Sequence, residues 1–198
     1  MKLLAFSDLH RDLDAARSLV ERSGDADVVL AAGDFAVMHR GVDEVIDVLR
    51  EITRPTILVP GNNETLDALN DACAGWSAAT VLHGSDTELE GVSFFGLGAG
   101  VPTTPWDWSF DLSEEDAAQM LSECPEDAVL VSHSPPRGHV DSSSDGTRLG
   151  SEALLEAIKA KHPRAVVCGH IHESWGEESS EGETKILNLG PQGVVIEI

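Results

Sequence analysis

The chain has 198 residues, 41% hydrophobic and 24% charged, which is the composition of a folded globular protein and not of a disordered or fibrous one. It carries 35 acidic residues against 13 lysines and arginines, and a formal net charge of -22 repels nucleic acid and anionic membranes. No apolar run is long enough to span a membrane, Cys73, Cys124 and Cys168 form no CxxC pair, and the first apolar run meets Asp8 too early for a secretory signal, so a cytoplasmic protein with reduced thiols is expected.

Leu3 to Phe6 form a first strand that ends in Ser7-Asp8-Leu9-His10. Leu13, Ala16 and Val20 then recur at helical spacing, with Asp12 as N-cap and Gly24 as stop. Val28 to Ala32 is a continuous apolar run, the mark of a strand buried on both faces, and it ends in Gly33-Asp34. Val42, Val45, Ile46 and Leu49 mark a second helix. Thr56 to Val59 form a third strand, ending in Pro60-Gly61-Asn62-Asn63-Glu64, and Leu66, Leu69 and Cys73 mark a third helix, with Glu64 as its cap. Strands alternating with helices predict a parallel sheet.

Thr80 to Leu97 reads as two or three short antiparallel strands turned at Gly84 and Gly91. A loop from Gly98 to Phe110 carries Trp106 and Trp108. Ser113, with Asp116 three residues on, opens a helix bearing Ala117, Met120, Leu121 and Cys124. Ala128 to Val131 is a strand ending in Ser132-His133, and Leu154, Leu155 and Ile158 mark a last helix. Ala165 to Cys168 ends in Gly169-His170-Ile171-His172, and the chain closes on an expected hairpin of Lys185–Leu189 with Val194–Ile198. With no repeat, linker or low-complexity tract, one domain over residues 1–198 is expected. Its fold class is α/β (α+β): two mixed β-sheets packed face to face with helices outside, a four-layer αββα sandwich.

Ligands of open α/β sheets collect at the carboxyl ends of the strands. Five apolar runs here deliver Asp8 and His10, Asp34, Asn62, His133, and His170 with His172 to such ends. Each can bind a metal through oxygen or imidazole nitrogen. The set is too large for one ion and, shared through a bridging carboxylate, suits two. A pair of cations roughly 3.5–4 Å apart clamps a phosphoryl group and lowers the pKa of a shared water. Carboxylate and imidazole without thiolate favour manganese, iron, cobalt, nickel or zinc over calcium or magnesium.

In this order, Asp8-Leu9-His10, Gly33-Asp34, Gly61-Asn62, Ser132-His133 and Gly169-His170-Ile171-His172 resemble the motif set of the calcineurin-like metallophosphoesterases, most of all the small phosphodiesterase-like members named metallophosphoesterase-domain proteins. The resemblance implies two divalent metal ions, manganese first, with Asp8, His10 and His172 on one, Asn62, His133 and His170 on the other, and Asp34 between them. It implies a small phosphoester substrate, more a phosphodiester than a monoester, attacked in line by a hydroxide bridging the metals. The third motif departs from the family's Gly-Asn-His-Asp/Glu, because Asn63 stands where the histidine is usual. Asn63 can hydrogen-bond a phosphoryl group but delivers no proton near neutral pH, and general acid catalysis is worth about 10²–10⁴-fold. The departure therefore also admits a catalytically weak or inactive scaffold for protein interaction.

His139, in the loop after His133, is the candidate replacement acid. Arg11 and Arg137 are candidate phosphate contacts, weighed against ordinary ion pairing. Trp106 and Trp108 either wall a pocket for a base or aryl group or seal the core. His39, His83 and His162 follow no strand tip and read as surface residues. The dispersed acids with few lysines suit a high-salt cytoplasm, where ions screen self-repulsion. The oligomeric state is left open.

Overall fold

In the computed structural model, which describes residues 1–198, the first three apolar runs become strands β1 (Lys2–Phe6), β2 (Val28–Ala31) and β3 (Thr56–Leu58). They are parallel neighbours, with β4 (Ala79–Val81) added parallel on one edge and β11 (Val194–Glu197) antiparallel on the other. The second sheet has the order β5 (Ser85–Leu89), β6 (Val92–Leu97), β7 (Val129–Ser132), β8 (Ala165–Cys168), β10 (Thr184–Asn188) and β9 (Glu178–Glu181). Its inner strands are parallel, and its two edge strands, β5 and β9, are antiparallel to their neighbours.

Alternating side chains divide the apolar residues among three cores. Val29 and Ala31 point to helices α1 (Leu13–Ser23), α2 (Val42–Leu49) and α3 (Leu66–Cys73), while Val28 and Leu30 point to the other sheet. That is why β2 reads as a continuous apolar run: it has no solvent face. The third core joins Phe95, Leu130 and Val166 of the second sheet to α4 (Glu114–Leu121) and α5 (Glu152–Lys161). The result is helices, sheet, sheet, helices, as expected. Leu19, Ile46 and Leu154 are fully buried in these cores, and each such side chain contributes about 1.5–3 kcal/mol.

The caps follow the sequence closely. Asp12 accepts the amides of Asp14 and Ala15, and Ser113 exchanges hydrogen bonds with Asp116. Three expectations change. Residues 79–81 join the first sheet in parallel, so only β5 and β6 form the antiparallel pair. The closing hairpin does not form, because β10 and β11 belong to different sheets. The hairpin lies earlier, between β9 and β10, and β9 was hidden because Glu178-Ser179-Ser180-Glu181 is a polar edge strand with no apolar run. The third helix is capped by Thr65, not Glu64.

No helix is long and apolar enough to cross a membrane. All three cysteines are unpaired and buried, and burial pushes the thiols of Cys73 and Cys124 up to about 12 and about 11.

Candidate metal centre

The carboxyl ends of β1, β2, β3, β7 and β8 meet along one edge of the two sheets. Two groups of side chains collect there, Asp8 with His10 and His172, and Asp34 with His133 and His170, the ligand atoms within each group lying within 4.8 Å of one another. Asp34 stands between the groups. Its Oδ2 lies 3.5 Å from His10 Nε2 and its Oδ1 lies 3.5 Å from His133 Nε2. Asn62 joins the second group, with Oδ1 at 3.2 Å from His133 Nε2 and 3.1 Å from His170 Nδ1. The structure thus brings all seven residues together at this edge.

The ring nitrogens of two histidines have assignable roles. His133 Nδ1 faces the carbonyl of Ala32 at 2.8 Å and His10 Nδ1 faces that of Ala36 at 3.2 Å. A carbonyl only accepts, so both Nδ1 atoms carry a proton, and in the neutral rings Nε2 presents a lone pair. His133 Nε2 faces Asn62 and Asp34, and His10 Nε2 faces Asp34 and, 3.1 Å away, His172 Nε2. Against burial, Asp34 and Asp8 raise the pull of His133 on a proton, the place a bound cation would take, and a carbonyl fixing the far ring nitrogen is the usual support of a metal-ligating histidine. The donor set fits two divalent cations.

The charges agree. Burial holds the His170 ring down at about 3, so it stays neutral with a free lone pair. Burial also lowers His172, against the pull of Asp8. Burial alone would raise Asp34, yet the charge of protonated His133 first, and then of His10, holds it below the usual carboxylate range. Asp8 is pushed up, chiefly by burial, which is the cost that a bound cation offsets.

Backbone geometry supplies the convergence. Asp8, His10, Asp34 and His170 all have positive φ, between 44° and 67°, and a non-glycine residue there costs about 1–3 kcal/mol. Glycines before the ligands let neighbouring strand tips touch. A Cβ on Gly61 would fall on the carboxylate and amide of Asp34, and one on Gly169 would fall on the carboxylate of Asp8. Gly61→Ala should therefore lower the melting temperature by the equivalent of about 1–3 kcal/mol and lower metal content with it. Gly24→Ala, where a Cβ meets nothing, should do neither; equal losses in both variants by calorimetry and metal analysis would refute this reading.

Three supporting roles are not read from the sequence, where Glu64 reads only as a helix cap. Glu64, fully buried, accepts hydrogen bonds from the amides of Asp34, Ala36 and Gly61 at 2.6–3.0 Å, so it clamps β2's tip to β3's. Burial and the neighbouring Asp34 push its carboxyl up to about 7 against those three donors. Ser7 donates to Asp8, and Trp175 donates its ring N–H to the same carboxylate at 3.1 Å while its ring packs on His172. Only the position of Trp175, three residues past His172, could have pointed to it.

Other expectations fare differently. Asn63 lies at the site, but its side-chain amide is committed: Nδ2 donates to Asp34 Oδ2 at 2.8 Å, and Oδ1 accepts the amide of Met38 at 2.9 Å. His139 is not brought to the site. Its loop carries it to the second sheet's edge, where its ring contacts Ser179 and Glu181. Arg11 pairs with Glu44 and Arg137 with Glu152, and neither lines the cavity. His83 is half-buried and accepts the amide of Gly98, and His39 is exposed but bonded to the carbonyl of Trp108.

A cavity of about 430 Å³ opens over both groups. His10, Asp34, Asn62, Asn63, His170 and His172 form its floor, and Trp106, Trp108, Pro105 and Leu149 are part of its wall.

Residues 1–195 match the family model of the Calcineurin-like phosphoesterase superfamily domain. A UPF0046 protein of Caenorhabditis elegans is 28% identical over 217 residues, an alignment covering 95% of this chain and 69% of that protein. A second one is 35% identical over 122 residues, or 57% of this chain and 28% of that protein. Human Metallophosphoesterase domain-containing protein 1 is 30% identical over 137 residues, 66% of this chain and 39% of that protein. This chain thus spans well under half the length of two of these three relatives. Among solved structures, TT1561 of Thermus thermophilus has the same fold, with a TM-score of 0.76 at 18% identity over 96% of this chain and 90% of that one. So does a dimetal phosphatase of Danio rerio, with a TM-score of 0.66 at 14% identity over 96% and 88%.

Proposed function

The chain belongs to the calcineurin-like phosphoesterase superfamily, and from that premise we propose that it is a dinuclear-metal-dependent phosphoesterase acting on small phosphodiesters. The observation that carries this reading is Asp34, whose two carboxylate oxygens face histidines of two separate ligand groups. Asp8, His10 and His172 would hold one ion, Asn62, His133 and His170 the other, and Asp34 both. Bound there, two divalent cations neutralise the phosphoryl oxygens and make a nucleophile of water at neutral pH. Manganese is the first candidate, then iron, cobalt, nickel or zinc.

The residues of the chain do the rest. Glu64 fixes the tips of β2 and β3, and Asn63 orients Asp34 as a positioning residue. Charge favours a diester. No lysine or arginine lines the cavity, and Glu173 lies in its wall, so nothing beyond the cations balances the second charge of a phosphomonoester. No imidazole is free to protonate the leaving oxygen, because each histidine lining the cavity belongs to a ligand group. Good leaving groups are therefore preferred. Buried unpaired thiols accord with a reducing, cytoplasmic setting.

Purified protein with manganese should hydrolyse bis(p-nitrophenyl) phosphate faster than p-nitrophenyl phosphate. No turnover of either ester with any of the five metals would end this reading. A second reading, a protein-interaction scaffold of low activity, draws on Asn63 and on exposed apolar side chains at Val37, Met38, Trp106 and Leu149. It predicts zero turnover together with a stable protein partner.

A further inference from the structure

Exposed large apolar side chains are few on this acidic surface, and two of them, Trp106 and Leu149, line the cavity over the candidate metal centre. The rings of Trp106 and Trp108 stack with centroids 5.6 Å apart and planes inclined by 11°. Trp106 is 51% exposed, so the pair does not seal the core. His39 holds Trp108 from below, bonded to its carbonyl and edge-on to its ring.

The loop bearing this pair is tied to the metal centre. Asn62 Nδ2 donates to Ser109 Oγ at 2.9 Å, Ser109 Oγ donates to Asp111 at 2.7 Å, and Asp111 accepts both the amide and the hydroxyl of Thr104. The amide of Phe110 donates to the carbonyl of Asn62 at 3.0 Å. The residue proposed as a metal ligand thus also anchors the stacked tryptophans. A flat apolar face is held at a set position beside the candidate metal centre, without the ordering cost of a free loop. A cavity of about 430 Å³ suits a small organic molecule.

We infer that Trp106 and Trp108 form a subsite that stacks a planar aromatic group, a nucleobase or an aryl ring, carried by a phosphodiester of single negative charge. The inference rests on the phosphodiester reading above and adds the chemistry of the substituent. The charge limit follows from the same cavity, which offers no cationic side chain to a second phosphate. Stacking on an aromatic ring is worth about 5- to 150-fold in affinity.

The test is calorimetric titration of manganese-loaded protein with two monoanions, methyl phenylphosphonate and methyl methylphosphonate. The phenyl anion should bind at least about fivefold more tightly. Trp106→Ala should bring it down to the level of the methyl anion, and Trp106→Phe should restore part of the difference. The methyl ester of adenosine 5′-phosphate separates the two sources: a Trp106-dependent affinity admits a base, whereas dependence for the phenyl anion alone restricts the subsite to simple aryl groups. Equal affinities of the two phosphonates, a preference that survives Trp106→Ala with metal content intact, or tighter binding of adenosine 5′-diphosphate than of the ester would each overturn the inference. Aryl preference without turnover of any ester would leave the subsite standing and remove the hydrolysis.

Discussion

Asp34→Asn should weaken the binding of both proposed metal ions together, whereas His10→Ala and His133→Ala should each weaken mainly one. The substitution keeps the shape of the side chain and removes its charge. It also places an NH₂ where a lone pair faced either His10 or His133, at the 3.5 Å separations on both sides. The two amide donors of Asn63, at 2.8 Å, still reach an asparagine only in part. Loss of a residue that merely supports a ligand lowers metal affinity about 10–100-fold, so loss of a shared ligand should equal or exceed that for each ion. Metal analysis after dialysis against a fixed manganese concentration reads the result directly. Two ions retained at wild-type affinity would show that Asp34 is not shared. Thermal melting separates this from unfolding, since His10→Ala and His133→Ala remove groups of the same site.

Asn63→His should raise turnover of substrates with poor leaving groups by about 10²–10⁴-fold and leave p-nitrophenyl esters nearly unchanged. Asn63 is 8% exposed and lines the cavity, so a ring at this position has one nitrogen for Asp34 and one for the cavity. The cost falls on the amide of Met38, which loses its acceptor. That loop is exposed, with positive φ at Met38 and His39, and can turn its amide to water. The measurement is the dependence of rate on leaving-group pKa. A flatter slope in the variant supports a missing general acid, and parallel slopes count against it. A zero rate in both proteins returns the question to the scaffold reading.

Much of this was legible in the chain itself. Each of the five apolar runs that ends in a candidate ligand becomes a parallel strand, because continuous valine-rich runs are stable only where both faces are covered. The helix caps at Asp12 and Ser113 were equally direct, since capping is local. The edge strand β9 was not legible, because a polar strand is stabilised by its neighbour's backbone and not by its own side chains. Nor was the fate of β11, whose Val194-Val195-Ile196 run does not say which sheet it joins.

At the site, residue types and order alone determined which seven side chains meet, since parallel strands deliver their carboxyl ends to one edge. Only the tertiary structure decided what surrounds them. It took Glu64 from a helix cap to a clamp on three amides, withdrew His139 to a sheet edge, and placed Trp175 on Asp8 and Trp106 over the cavity. Those roles depend on contacts between segments far apart in sequence, and no local pattern encodes a partner that another strand brings.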